Sequence, residues 1–149
     1  MREAAYEQVE HDIRQLVSGS LAVIVEAPKP TLPAPPFRCS DRFNRSNPVC
    51  REGLSIDRVA MQRLRQPKLN AMHTMAAETG GITIWDSFDV LCPSTPCAAS
   101  VDGRPLFFDG DHVSGYTNDL LAPSLGRILA MLWSSAPDTT PGRLPLTGV

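Results

Sequence analysis

The chain of 149 residues has no apolar run near the roughly 20 residues that a bilayer-spanning helix requires. Its opening, MREAAYEQVEHD, lacks the apolar centre of a secretory signal, so nothing in the chain as written is expected to export or anchor it. Basic residues are not in excess: 14 Lys and Arg stand against 16 Asp and Glu, a formal net charge of -2. Without a basic stripe there is no footprint for a phosphate backbone, and nucleic acid is excluded as an expected partner. No internal repeat is present, and no cofactor or metal is assigned.

What remains is the composition of one soluble domain, 42% hydrophobic and 20% charged. The reading places that domain at residues 1–133. A disordered tail is expected over 134–149, where Pro, Thr and Gly leave little to bury.

The four cysteines fall into two local pairs, Cys39 with Cys50 and Cys92 with Cys97, in proline-rich surroundings that suit disulfides and an oxidising compartment. Reduced, buried thiols are the alternative. A four-cysteine zinc site fits poorly, because the gap between Cys39 and Cys50 is wider than the usual spacing within a ligand pair.

Apolar residues Tyr6, Val9, Ile13, Leu16 and Val17 follow helical spacing, and Ser18-Gly19-Ser20 offers a stop with glycine at the left-handed cap. Leu21 to Val25 is a short β-branched run that reads as a buried parallel strand. Ala27 to Pro36 holds five prolines and is expected to run extended over the surface. Ser55 is a candidate cap for a helix ending at Pro67, with a second helix carrying Leu69, Met72 and Met75. Gly80-Gly81 closes that helix before a strand at Ile82 to Trp85. A turn at Asp102-Gly103 precedes Leu106-Phe107-Phe108, and a last helix runs from about Asp119 to Trp133. The alternation of helices and strands points to an α/β sheet, which binds ligands beyond the carboxyl ends of its strands.

Asp109-Gly110-Asp111-His112 sits ahead of that last helix. A carboxylate three residues before a histidine can orient the imidazole while the other ring nitrogen faces a cleft, which is two thirds of a nucleophilic triad. Asp109, Asp111 and His112 also offer donors to a hard or borderline metal, the competing reading of the same residues. His11 and His73 are read as ordinary helix residues.

The segment from Leu91 to Ser114, LCPSTPCAASVDGRPLFFDGDHVS, resembles the closing block of the SGNH hydrolase superfamily. More narrowly, it is similar to the periplasmic C-terminal domain of bacterial membrane O-acyltransferases that modify cell-surface polysaccharides. The shared features are Leu-Cys-Pro, a second cysteine, an aromatic before the acid, and D-x-x-H followed by an aliphatic residue and a serine. Upstream, the similarity extends through the strand at Leu21 to Val25 and the proline-rich loop.

The resemblance implies a three-layer α/β/α sandwich of flavodoxin-like type and O-acyl transfer, acetyl among the groups, by a Ser-His-Asp mechanism. An acyl donor and a carbohydrate acceptor would be the partners, with a membrane acyltransferase domain in a longer protein placed at the periplasmic face. Asp109 becomes the orienting acid and His112 the general base, while Asp111 matches a common acidic position of no assigned role. The Gly-Asp-Ser block that carries the family's nucleophile is absent, and Asp86-Ser87 lies too close to Asp109 to replace it. The chain therefore reads as the C-terminal part of such a domain, its parallel sheet lacking the N-terminal strands. A non-catalytic fragment or interaction module on the same scaffold is the alternative.

Overall fold

A computed structural model describes residues 2–44 and 46–134. Helix α1, Arg2–Ser18, leads into strand β1, Val23–Glu26. The left-handed residue closing α1 is Ser20, at φ 64°, and not Gly19. Leu21 N–H bonds the Leu16 carbonyl at 3.3 Å and Ser20 N–H the Val17 carbonyl at 2.9 Å, the paired bonds of a Schellman cap. Serine takes the position expected of glycine because the cap starts one residue later.

Two short helices follow, α2 at Pro36–Cys39 and α3 at Pro48–Glu52, and the structure joins them through a Cys39–Cys50 disulfide. After β2, Ser55–Ile56, the long helix α4 runs without a break from Arg58 to Thr79. Its cap is Asp57, which accepts from Ala60 N–H at 2.6 Å, so Ser55 is a strand residue. Pro67 lies inside α4 and does not divide it. The carbonyl four residues earlier belongs to exposed Arg63, where water can replace the missing N–H.

Strand β3, Ile82–Trp85, pairs in parallel with β1, Val25 opposite Ile84. With helix α4 between two parallel strands, the chain is of the α/β kind. Helix α5 spans Phe88–Leu91 and is joined to strand β4, Cys97–Ala98, by a Cys92–Cys97 disulfide. Strand β4 is antiparallel to β2. Strands β5, Ser100–Val101, and β6, Arg104–Pro105, form a hairpin turned by Asp102 and Gly103 at φ 51° and 76°. Helix α6 then runs over Gly115–Ser134. It starts four residues earlier than the apolar pattern suggests, because Ser114 Oγ accepts the Thr117 N–H at 3.2 Å. Of the expected tail, Ser134 is helical, and 135–149 lie outside the described residues.

The core does not sit on the parallel pair. Val23, Ile24 and Val25 are only half buried, since among the described residues β1 and β3 have no strand neighbour but each other. The main cluster is Leu32, Leu91, Ala99, Leu106, Phe107 and Leu121, with Trp85 packed against it. A second joins Met61 and Phe88 to the Cys92–Cys97 disulfide.

The proline-rich segment is not a surface loop. Ala27, Pro30, Leu32 and Ala34 are buried within it. Prolines carry no N–H that would need a partner, so such a stretch can be buried at low polar cost. The donors of its buried non-proline residues are used: Ala27 N–H bonds the Trp85 carbonyl at 2.9 Å, Leu32 N–H the Gly110 carbonyl at 2.7 Å and Ala34 N–H the Gly53 carbonyl at 3.3 Å.

Candidate active site

The turn that follows Phe108 is held from three sides. Phe107 bridges to Val113, and Phe108 N–H bonds the His112 carbonyl at 2.7 Å. Beneath it, Ser114 Oγ donates to the Pro105 carbonyl at 2.7 Å. The fully buried Thr117 hydroxyl donates to the Leu106 carbonyl, also at 2.7 Å. On the third side the Leu32 carbonyl lies so close that a Cβ on Gly110 would sit 2.7 Å from its oxygen. Glycine is required there by the approach of another backbone.

Within the turn, one carboxylate oxygen of Asp109 accepts the backbone N–H groups of His112 at 2.8 Å and Asp111 at 3.0 Å. The other accepts the imidazole Nδ1 at 2.8 Å. Those two backbone donors, then the imidazole, hold the Asp109 carboxyl well below the usual carboxylate range, so it is ionised and Nδ1 carries the proton. Asp111 adds a carboxylate oxygen 3.1 Å from the same nitrogen. The hydrogen bond and charge of Asp109, and the charge of Asp111, raise the His112 pKa, while Lys29 works against them.

The His112 side chain is 76% exposed, and Nε2 has no hydrogen-bond partner among the described residues. One nitrogen is fixed in its tautomer and the other is open to an incoming group. Ligand atoms of Asp109, Asp111 and His112 also lie within 4.8 Å of one another, but Nδ1 is committed to carboxylates. Ser87 is buried, and its hydroxyl donates to Glu26 Oε1 at 3.2 Å rather than to His112.

A cavity of about 300 Å³ opens beyond the carboxyl end of β1, reaching from Glu26 and Lys29 to Asp111, with Arg65 and Lys68 of α4 along its side. Sequence reasoning singled out Asp111 but not Glu26, Lys29, Arg65 or Lys68. Arg65 and Lys68 stand three apart on a helix, a spacing any solvated face shows. What distinguishes Arg65 is tertiary: it is buried, donates to the Pro28 carbonyl at 2.8 Å and to Asp86 at 2.6 Å, and lies over the Phe88 ring.

No described helix is long and apolar enough to cross a membrane. A family model described as "SGNH domain (fused to AT3 domains)" matches residues 2–127. No curated protein and no solved structure gave a match.

Proposed function

The chain belongs to the SGNH domains fused to AT3 domains, and on that premise we propose that it is the base-bearing part of an O-acyl-transfer or ester-hydrolase site. The observation that carries this is the Asp109–His112 pair, with Nδ1 bonded at 2.8 Å and Nε2 open. His112 Nε2 takes the proton from an attacking serine hydroxyl and returns it to the leaving oxygen, and Asp109 keeps the ring in the right tautomer and stabilises its protonated form. Asp111 contributes negative charge beside the same nitrogen.

The serine would come from upstream in a longer protein, since the chain carries no Gly-Asp-Ser block and Ser87 is engaged with Glu26. We read the β1–β3 pair as part of a three-layer sandwich: α4 packs against β3, and on Trp85 the indole N–H donates to Ser124 of α6 at 3.0 Å. The acceptor would be a hydroxyl of a cell-surface carbohydrate. Two disulfides favour an oxidising compartment such as the periplasm.

The test is to isolate the native gene product with an antibody against residues 102–133, then measure its mass, membrane association and labelling by a serine-directed fluorophosphonate. A large membrane-bound species labelled on a serine outside residues 2–134 is expected. Its His112→Ala variant should lose acyl transfer by about 10²–10⁴-fold. A product that no phosphonate labels, and whose ester turnover ignores His112→Ala, would leave a non-catalytic module as the better reading.

A further inference from the structure

A second cavity, about 530 Å³ and lined mostly by apolar surface, lies between α1 and α4. Val9 and Ile13 of α1, Val25 of β1, and Ala71, Met72 and Met75 of α4 form its walls. It adjoins the cleft beside Asp111, because Glu26, Pro28 and Lys68 line both. An apolar groove therefore runs into a polar chamber next to the His112 turn, with a lysine at the junction.

The charges there are unevenly matched. Glu26 lies 3.6 Å from Lys29 and accepts the Ser87 hydroxyl, and Glu10, at the groove edge, is paired with Arg14 at 2.7 Å. Lys68 has no ion pair among the described residues. Arg65, one turn away, is held in place by Asp86, the Pro28 carbonyl and the Phe88 ring. A cavity with apolar walls and one available cation at its mouth fits a ligand with an apolar chain and a single anionic end.

We propose that the groove binds a medium-chain carboxylate, its hydrocarbon between α1 and α4 and its carboxylate at Lys68, facing the chamber that Asp111 borders. From Lys68 to Met75 the helix rises about 10 Å at ~1.5 Å per residue, the reach of an extended chain of roughly eight carbons. That this acid is the one released when water cleaves the acyl ester on the serine rests on the acyl-transfer reading. Its binding does not, and is measured without turnover.

The experiment is calorimetric titration of the 149-residue protein with acetate, butyrate, hexanoate and octanoate, and with 1-octanol as the uncharged comparison. Affinity is expected to rise about three- to fourfold for each methylene that the groove buries, and octanoate should bind more tightly than 1-octanol. Lys68→Ala should remove that preference for the carboxylate while keeping the chain-length trend. Ala71→Trp, at an exposed position able to take the bulk, should block the groove and abolish both. Affinity independent of chain length, octanoate binding that Ala71→Trp leaves intact, or a groove closed by concentration-dependent dimerisation would each overturn the proposal. Chain-length-dependent binding in a protein without acyl transfer would uphold the groove and refute the catalytic reading.

Discussion

Gly110→Ala tests whether the proline-rich segment fixes the His112 turn. The added Cβ would stand 2.7 Å from the Leu32 carbonyl oxygen, a backbone atom that cannot rotate away. A carbon–oxygen contact of this kind settles near ~3.3 Å, so the two strands of chain must part by about half an ångström. The same two residues share the Leu32 N–H to Gly110 carbonyl bond of 2.7 Å, and Leu32 is buried. Parting them stretches that bond to the long end of the hydrogen-bonding range, and shifting two packed backbones in this way costs about 1–3 kcal/mol. For a chain of this size that lowers Tm by roughly 3–10 °C.

Thermal and urea unfolding followed by circular dichroism read the loss, and the amide resonances of Leu32 and His112 report where it falls. Gly103→Ala is the comparison: nothing lies within 4 Å of its Cβ, so its φ of 76° is the only penalty, about 1 kcal/mol. If Gly110→Ala unfolds at the wild-type temperature, or costs no more than Gly103→Ala and leaves both amides unmoved, the support assigned to this joint is wrong.

The His112 pKa is raised and that of Asp109 lowered. The histidine's contribution to stability is complete below its ordinary value and lost as pH rises through the raised one. That of the aspartate is present above its ordinary value and lost as pH falls. Between the two ordinary values the contribution of the pair is complete and level, so Asp109→Asn should lower stability there, flatten its fall on either side, and bring the His112 midpoint, followed by NMR, down towards 6.5; an unchanged midpoint would contradict the pairing. The base is active only when neutral, so any ester turnover should rise through a midpoint above 6.5 and shift to lower pH in the same variant. Arg65→Ala should cost about 2 kcal/mol in urea unfolding, the half-exposed Asp86 limiting the ionic share. The Cys39→Ser, Cys50→Ser double variant should lose about 2–3 kcal/mol, given a separation of 11 residues. Equal stability would show that the reduced chain is already constrained.

The elements legible in the sequence were those whose signal is local. The β-branched run ending at Val25 and the Ile82 to Trp85 strand could be read from composition, and the Asp102-Gly103 turn from residue type. The link between Asp109 and His112 needs only a turn of three residues. What could not be read depends on where water reaches. Pro67 looks like a break until Arg63 is seen to be exposed, and five prolines look like a surface spacer until Leu32 and Ala34 are found buried. Val59 and Leu64 are apolar and fall within helix α4, yet they are exposed, and α4 buries Met61, Arg65 and Met75 instead. A buried arginine between a carbonyl, a carboxylate and a phenyl ring has no signature along the chain.

The two bonds that fix His112 differ in what they need from the rest of the polypeptide. The bond to Asp109 closes a loop of three residues and loses little entropy by doing so. The bond from Leu32 to Gly110 joins segments separated by both disulfides, α4 and β3. In hydrogen exchange, the Leu32 amide should open with the large cooperative unit, and the amides inside the turn in brief local fluctuations. During folding the imidazole thus gains its carboxylate early and is carried to its place beside the cleft only when the chain between them has closed.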